Sequence, residues 1–302
     1  MSSELTESLI RDVSDTARWV AAYRAAETAR SDALFADPLA ERLAGERGRA
    51  IAARGPRQTR SGWPIVTRTR LVDDLVSTCV ADGCDRVLNL AAGFDTRPYR
   101  MSLPATLEWI EADLVPIIQE KESLLKGETP RCRLLRECVD LSDIQARSVF
   151  MNEALRGARR ALVLTEGLVA YLDDEDVRGL ACSLRDHAAV RWWILDMNGP
   201  AVRTMIMDGM GSLLANAPMR FAPKEGITFF ERLGWKAQEV RSIVREAARF
   251  RRIPMLFRIF ARLSNPNPRG PGRARWSAVV RFERERLDAN DARPDVHGDA
   301  AI

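Results

Sequence analysis

Small and acidic side chains follow a series of short apolar segments in the middle of the chain. The residues that end or follow these segments are Ala91, Gly93, Asp113, Asp140 and Glu166. In open α/β sheets, ligands bind outside the carboxyl ends of the strands. If the apolar segments are neighbouring parallel strands, these five residues meet at one ligand site.

The types of these residues indicate what the ligand carries. Small residues at 91–93 allow a ligand to approach the backbone closely. Asp113 lies roughly twenty residues beyond Gly93, the spacing at which an acid binds ribose hydroxyls. Asp140 could accept a hydrogen bond from an exocyclic amine. Together these residues predict a nucleoside-bearing cofactor.

The turn after the first strand separates two kinds of cofactor. A dinucleotide normally requires G-x-G-x-x-G to hold its pyrophosphate. The turn here reads A-A-G-F-D-T-R and is followed by Pro98. This sequence disfavours an NAD-dependent oxidoreductase. S-adenosyl-L-methionine has a ribose and an adenine but no phosphate, so it fits both the acids and the missing glycines.

Residues 90–97, LAAGFDTR, resemble the first motif of the leucine carboxyl methyltransferase family, whose members are S-adenosyl-L-methionine-dependent. Other blocks match the family in order and spacing over most of the chain. These blocks are 14–17, 35–38, 68–73, 111–113, 140–141, 165–167 and 171–172. The sequence is therefore identified as similar to the bacterial branch of this family.

The resemblance implies roles for individual residues. Arg68 would pair with the carboxylate of the cofactor's methionyl part, and Glu166 would lie beside that end. Asp113 would hold the ribose, while Asp140 and Leu141 would hold the adenine ring.

The resemblance also places Gly93 and Ala91 in the turn beneath the methionyl part. Ala91 stands where family members with a G-x-G turn carry glycine, although the bacterial branch often has alanine there.

Each of these residues also has a purely structural interpretation. Asp113 could cap a helix that begins near Val115, and Asp140 could cap the segment after it. Glu166 could be buried beside an arginine, and Arg68 could be an ordinary surface arginine. Their joint position at successive strand ends favours the functional interpretation for the set.

Strands alternate with helices from residue 86 onward, which predicts a doubly wound, mostly parallel α/β sheet. The predicted strands are 86–90, 106–110, 133–139, 161–165, 191–195, 235–240 and 276–282, and the last two suit an antiparallel edge pair. By resemblance this is the Rossmann-like sheet of class I methyltransferases with a helical cap. We predict a cap and lead-in helix at 1–82 and a methyltransferase domain at 83–286. A helical lid insertion is expected at 197–225 and a flexible tail at 287–302.

Composition limits the other possibilities. Of the 302 residues, 46% are hydrophobic and 29% charged, which is typical of a globular protein. There is no long apolar run and no signal-peptide pattern at the start. Five cysteines without CxxC spacing predict reduced thiols, and two histidines argue against a His-rich metal centre. We therefore expect a cytoplasmic protein with no membrane partner and no bound metal.

The net charge is +4, and thirteen arginines lie between 241 and 286. A nucleic-acid surface is one interpretation. A solvated amphipathic helix followed by a basic loop is favoured, because recognition motifs and interleaved aromatic residues are missing. We predict no nucleic-acid partner.

The histidines also bear on the methyl acceptor. A carboxylate is already ionised at neutral pH and needs no base, whereas an aliphatic hydroxyl does. Neither His187 nor His297 follows a strand. The expected acceptor is therefore an acidic oxygen, a carboxylate or a phenol, and Tyr23 or Tyr171 could assist a phenol.

Two segments, the lid insertion and the first helix, are candidates for the walls of the acceptor site. The insertion holds five of the nine methionines, Met197 among them, which suggests a pliable apolar lid. An alternative is that these methionines fill an irregular helical cap. The candidate acceptor contacts are Trp19, Tyr23, Arg24, Arg203, Met205 and Met210.

These walls suit a small or medium hydrophobic metabolite, such as a polyketide, methylated on oxygen. The alternative function is a binding or regulatory protein that keeps the cofactor fold without catalysis. The retained acids at 113, 140 and 166 argue against it.

Overall fold

The computed structural model describes residues 10, 13–54, 61–211, 214–263, 267–270 and 275–285. Its strands are β1 (Arg86–Leu90), β2 (Glu108–Asp113), β3 (Arg133–Cys138), β4 (Ala161–Thr165), β5 (Val190–Asn198), β6 (Trp235–Ser242) and β7 (Ser277–Arg284). Its first helices are α1 (Val13–Thr28), α2 (Ala40–Arg54), α3 (Trp63–Ala81), α4 (Arg97–Arg100), α5 (Val115–Leu124) and α6 (Ile144–Ala154). The later helices are α7 (Asp174–Asp186), α8 (Pro200–Met210), α9 (Thr228–Glu231), α10 (Ile243–Arg249) and α11 (Met255–Leu263), and a 3-10 turn covers Val169–Tyr171.

The strands form one seven-stranded sheet in the order β3-β2-β1-β4-β5-β7-β6. β1 to β5 pair in parallel, and β7 runs antiparallel to both β5 and β6. The strand order reverses at β1 and β4, so the carboxyl ends of these two strands border the crevice where such sheets bind ligands. The predicted doubly wound sheet with an antiparallel strand is confirmed.

Two strands, β2 and β5, end three residues later than predicted, whereas the bounds of β3, β6 and β7 differ from the prediction by one or two residues. β2 begins later and ends at Asp113, because Ala112 pairs with Leu90 and Asp113 with Cys138. β5 extends to Asn198, because its last three residues pair with β7 in the antiparallel direction. The apolar pattern of β5 alone does not predict this extension. The segment that we predict to be a lid therefore follows Asn198, since residues 197 and 198 belong to β5. Met197 is not part of this segment: its side chain is 2% exposed and lies in the core.

Apolar side chains cover both faces of the sheet because parallel strands are buried on both sides. One face packs on α6, α7 and α9, with Trp193 in edge contact with Phe230 and Trp235 at ring-centroid distances of 5.3 Å each. The other face packs on α3, where Leu71, Val72, Leu75 and Val76 lie within the core. This double core fixes the strand ends relative to each other.

The cap consists of α1 and α2, which pack against the turn after β1 and against α8. Ala21, Leu43 and Phe94 share one apolar cluster. A second cluster joins Ile51 of α2 to Met210 of α8. The two segments predicted to be acceptor walls are thus in direct contact.

Some predictions concern residues outside the described ranges. The tail at 287–302 lies there, as does most of the polar connection at 55–60 and the start of the cap. The five cysteines are free thiols, and burial raises the pKa of Cys79 to about 12. None of the described helices combines the length and the apolar character that a membrane crossing requires.

Candidate functional site

The turn after β1 approaches the end of β2 through backbone hydrogen bonds. Ala91 and Gly93 adopt left-handed backbone angles, with φ of 53° and 48°. The Gly93 N–H donates to Asp113 Oδ2 at 2.7 Å. A left-handed φ is strained for alanine, so the turn at Ala91 is held by its surroundings. The result is a tight turn whose amide points at the acid of β2.

Asp113 is nearly enclosed, with 7% of its surface exposed. Its Oδ1 accepts from the Leu114 N–H at 2.8 Å. Burial raises the pKa of the Asp113 carboxyl, and the amides of Gly93 and Leu114 oppose that rise. A carboxylate oxygen can accept more than one hydrogen bond. Each oxygen therefore keeps capacity for a hydroxyl donor from a ligand. The interpretation of Asp113 as a helix cap is only partly correct. Asp113 accepts from the amide of Leu114, just before α5, but no side chain caps the first turn of α5.

The end of β4 carries a second acid in an ion-pair cluster. Arg68 Nε donates to Glu166 Oε1 at 2.9 Å, and Arg68 Nη1 donates to Asp196 Oδ2 at 3.1 Å. Asp196 Oδ1 also accepts from the Gly167 N–H at 2.6 Å. Although burial lowers the pKa of Arg68, Asp196 and Glu166 raise it above its usual value. Arg68 is not an ordinary surface arginine, because carboxylates from β5 and from the turn after β4 hold it at the crevice.

Gly167 shows how closely Arg68 approaches the backbone. Its φ is +73°, and a Cβ placed on it would lie 3.6 Å from Arg68 Nη1 and 3.7 Å from Nη2. Glycine therefore leaves the guanidinium next to the backbone without a side chain over it.

Arg97 extends this cluster to the turn after β1. It is 2% exposed and forms ion pairs with Asp73, Asp95 and Glu166 at 2.7, 2.8 and 2.8 Å. The Asp95 pair lies within the turn itself, where Asp95 Oδ1 also accepts from the Arg97 N–H at 2.8 Å. Burial would raise the pKa of Glu166, but Arg97 and Arg68 hold it below its usual value.

The charges of this buried cluster do not cancel. Its cations are Arg24, Arg68, Arg97 and Arg100, and its anions are Asp37, Asp73, Asp95, Glu166 and Asp196. Four positive and five negative groups leave one negative charge. A cationic ligand is therefore favoured at this position, because buried charges are stabilised by opposite ones.

Asp140 has a different environment. It is exposed beyond the end of β3, and its Oδ1 accepts from the Ser142 N–H at 2.9 Å and from Ser142 Oγ at 2.6 Å. The Ser142 hydroxyl lowers the pKa of Asp140, and the Ser142 amide lowers it further. Leu141 is half-buried and packs against the core. Asp140 thus closes a local turn through one of its two oxygens.

The two candidate tyrosines lie in different places. Tyr171 ends the 3-10 turn after β4, and its electrostatic neighbours include Arg68 and Asp196. Burial raises the pKa of Tyr171, and Arg68 opposes this. Tyr23 is 4% exposed on α1, next to Trp19 at a ring-centroid distance of 5.8 Å, and burial raises its pKa also. Only Tyr171 adjoins the cluster at β4.

The candidate acceptor contacts are spread over the cap. Trp19 and Met210 adjoin the same apolar cluster, whereas Met205 is 48% exposed. Arg24 donates from Nη2 to the Phe94 carbonyl at 2.6 Å and pairs with Asp37 at 3.0 Å. Arg24 therefore ties α1 to the turn after β1.

Arg203 of α8 donates to the Met219 carbonyl at 3.2 Å. The segment after α8 returns to the end of β4, where the Arg220 N–H donates to the Ala170 carbonyl at 2.7 Å. The cap segment is thereby joined to the turn that contains Tyr171.

Asp196 and Asp73 belong to the site, although the sequence did not identify them as site residues. Asp196 lies near the end of the fifth predicted strand, which is the same signal that identified the other acids. Asp73 lies within the 68–73 block, one helical turn beyond Arg68. What the sequence did not indicate is that both carboxylates hold arginines of the crevice.

The seven-stranded sheet with its flanking helices is the class I methyltransferase fold. The family model of the leucine carboxyl methyltransferases matches residues 17–183. The chain belongs to the leucine carboxyl methyltransferase family, as the resemblance of its motifs implied.

Relatives from actinobacteria agree with this assignment. A protein of Frankia alni, provisionally named an S-adenosyl-L-methionine-dependent methyltransferase, is 30% identical over 74% of this chain and 82% of its own length. Proteins of Streptomyces coelicolor and Streptomyces avermitilis with the same provisional name are 32% and 34% identical. Each of these two matches covers 58% of this chain and 65% of the relative.

Solved structures agree on the fold. A DUF574 family protein of Streptomyces avermitilis superposes with a TM-score of 0.55 at 16% identity, covering 90% of this chain and 97% of that protein. A protein of Thermobifida fusca, provisionally named a methyltransferase, gives a TM-score of 0.56 at 14% identity and covers 94% of this chain and all of that one.

Proposed function

We propose that this protein transfers a methyl group from S-adenosyl-L-methionine to an acidic oxygen, a carboxylate or a phenolate, of a small or medium hydrophobic metabolite. Membership of the family makes it an S-adenosyl-L-methionine-dependent methyltransferase. The acceptor class is our proposal.

The buried cluster around Arg68 is the observation that supports cofactor binding most directly. S-adenosyl-L-methionine carries one carboxylate, one ammonium and one sulfonium group, so its net charge is +1. The cluster has one excess negative charge, and the N–H groups of Arg68 that do not bind Glu166 and Asp196 would bind the carboxylate. Asp113 would accept from the ribose hydroxyls, while Asp140 and Leu141 would adjoin the adenine. The residues present therefore fit the cofactor.

Bound S-adenosyl-L-methionine supplies an electrophilic methyl group. The chain's residues must hold donor and acceptor in line, because alignment provides most of the rate increase in such a displacement. Arg68 and Asp113 would hold the cofactor from its two ends, so that its methyl group would face the acceptor. An ionised acceptor has no proton to lose, so the chain would not need to supply a base.

The placement of the titratable groups supports an acceptor that is already ionised. His187 lies between α7 and the start of β5, and so at the opposite edge of the sheet from the carboxyl ends of the parallel strands; its Nδ1 contacts the Ser183 carbonyl at 2.8 Å. The elevated pKa values of Tyr23 and Tyr171 make both tyrosines poor bases at neutral pH. A carboxylate acceptor therefore needs none of these groups. A phenol, with an ordinary pKa of about 10, qualifies only where its ring substituents lower that pKa toward neutral, so that its proton is lost to water before transfer.

Labelled methyl transfer tests the acceptor class. The full chain is incubated with methyl-labelled S-adenosyl-L-methionine and a panel of hydrophobic carboxylic acids and phenols, each paired with its neutral amide or deoxy analogue. We expect label in esters or aryl ethers only. Label confined to amines or thiols would overturn the proposed acceptor, while S-adenosylhomocysteine binding would separately establish whether the cofactor assignment holds.

Arg203 provides a variant with a matched control. Arg203→Gln should raise KM for an anionic acceptor several-fold with little change in kcat, because uniform binding is lost. Arg232→Gln removes one charge from an exposed position after α9 and should leave both constants unchanged. Equal kinetics in the two variants would mean that Arg203 does not contact the acceptor.

A further inference from the structure

A cleft lies at the opposite edge of the sheet from the methyltransferase site. Its volume is about 420 Å³, and its lining residues are Arg159, Arg160, Ala188, Ala189, Val190, Arg191 and Arg284. These positions precede β4, begin β5 and end the antiparallel β7, so they meet at the amino edge of the parallel strands. Four of the seven lining residues are arginines.

The positive charge of this cleft is only half compensated. Arg159 pairs with Asp85 at 3.2 Å, and Arg191 pairs with Glu283. Within the described part of the chain, no carboxylate lies at ion-pair distance from Arg160 or Arg284. Four guanidinium groups against two carboxylates leave two positive charges.

Arg160 is held in place although it is not ion-paired. Its guanidinium lies 5.1 Å from the ring centroid of Trp192, a residue that is 2% exposed. A Cβ at Gly83 would come within 3.2 Å of Arg160 Nη1, so the guanidinium occupies a narrow slot. Arg191 lies over the same ring at 5.8 Å. Stacking restricts both side chains before any ligand binds, which reduces the entropy lost on binding.

Arg284 is oriented by neutral groups. Its Nη2 donates to the Ala188 carbonyl at 3.0 Å, and its Nη1 lies 3.5 Å from the Arg185 carbonyl. These carbonyls position the guanidinium without cancelling its charge. Arg284 therefore remains available to pair with an anion.

We propose that this cleft binds a small phosphate compound, at a site separate from methyl transfer. A phosphate group carries nearly two negative charges at neutral pH, matching the uncompensated pair of arginines. Guanidinium forks match phosphate oxygens in pairs. The cleft volume lies in the range of small-ligand sites and exceeds what one phosphate group needs. A diphosphate or a phosphorylated metabolite therefore fits better than a single inorganic phosphate.

A nucleic-acid strand fits less well. Sequence-tolerant binding of single strands requires aromatic faces on which bases stack. The nearest aromatic ring, that of Trp192, is 2% exposed, and Arg160 and Arg191 already lie over it. The recognised group is therefore the phosphate itself, whether it belongs to a free diphosphate or to a nucleotide.

Calorimetry of the full chain at low salt tests the proposal with pyrophosphate, ADP and a short single-stranded DNA as separate probes. We expect one pyrophosphate per chain. Arg160→Gln and Arg284→Gln should each weaken its binding about tenfold, the usual effect of losing a charged hydrogen bond. If ADP and pyrophosphate bind with equal affinity, the cleft recognises the phosphates alone. If ADP binds more tightly than pyrophosphate, the cleft also contacts the nucleoside. Either result supports the site.

Two controls keep the outcome interpretable. Arg249→Gln removes an arginine whose side chain is 72% exposed on α10, away from the cleft, and should change pyrophosphate binding less than twofold. Arg160→Lys keeps the charge but loses the fork, and should weaken binding less than Arg160→Gln. No binding of pyrophosphate, an equal loss in the Arg249 variant, or binding of DNA without pyrophosphate would overturn the proposal.

Discussion

The carboxylates at the ends of β2 and β4 differ from the carboxylate that follows β3. Asp113 and Glu166 are enclosed, and each is held by groups from distant parts of the chain. Asp140 is exposed, and its hydrogen bonds come from Ser142, two residues away. The same sequence signal, an acid after an apolar strand, therefore leads to two physical situations.

This difference indicates that the buried and the exposed carboxylates contribute differently to ligand binding. A buried carboxylate has lost its hydration, so its contacts to a ligand replace little water and are strong. An exposed carboxylate exchanges water for ligand with a small net gain. We expect Asp113 and the Glu166 cluster to set affinity and orientation, and Asp140 to contribute mainly to adenine selectivity.

Breaking the buried cluster should have the largest effect. Arg97→Gln leaves Asp73, Asp95 and Glu166 buried without their shared cation. Removing one partner of a buried ion pair costs about 3–5 kcal/mol. Urea denaturation should show this loss of unfolding free energy. Arg133→Gln is the control: this side chain is 68% exposed and lies 3.9 Å from Glu108, so its loss should cost less than about 0.5 kcal/mol. Similar losses in the two variants would show that the cluster does not stabilise the fold.

Asp113→Ala should have the next largest effect, on binding rather than on folding. The lost charged hydrogen bonds contribute about 1.5–3 kcal/mol each. Titration with S-adenosylhomocysteine should show affinity at least tenfold weaker, with an intact circular dichroism spectrum. Unchanged affinity would remove Asp113 from the ribose site.

The pH dependence of cofactor binding should distinguish Asp113 from Asp140. The pKa of Asp113 is raised by burial, whereas that of Asp140 is lowered by Ser142. Affinity for S-adenosylhomocysteine should therefore fall as the pH decreases through the raised pKa of Asp113, before an ordinary aspartate would be protonated. In Asp113→Asn this decrease should disappear, and in Asp140→Asn it should remain. Its persistence in Asp113→Asn would assign the titration to another group.

The stability effects of the two buried acids have opposite signs. Because the folded pKa of Asp113 is raised, its contribution to stability is present at low pH and is lost as the pH rises through that pKa. The folded pKa of Glu166 is lowered, so its contribution is present above its unfolded pKa and is lost as the pH falls through the folded value. Relative to the unchanged protein, Glu166→Gln should be most destabilised near neutral pH. A difference in unfolding free energy that does not vary with pH would contradict this.

Asp140 should give the smallest effect. Asp140→Asn retains an oxygen that can accept from Ser142 and from an adenine amine, so affinity for S-adenosylhomocysteine should change only about twofold. Asp140→Leu removes that acceptor and should cost more. Equal affinities in both variants would show that this carboxylate faces solvent in the complex.

The sequence predicted the sheet well because its signals are local. Apolar segments ended at small or acidic residues, and β1 and β4 have the bounds that were predicted for them. The ends of β2 and β5 were missed, since pairing with neighbouring strands extended them beyond their own apolar runs. The family motifs identified the acids of the crevice for the same reason: they are contiguous blocks in the chain.

Tertiary structure alone decided the environment of each acid. The sequence offered both a ligand role and a cap role for Asp113 and Asp140, and equally a buried pair for Glu166. Packing of α3 against β4 and β5 brings Arg68 to Glu166 and Asp196, which are 98 and 128 residues away along the chain. Burial, and with it the pKa shifts and the excess negative charge, depends on such distant contacts. A residue's type and local spacing therefore determine what it can do, and the long-range packing determines which of those possibilities it adopts.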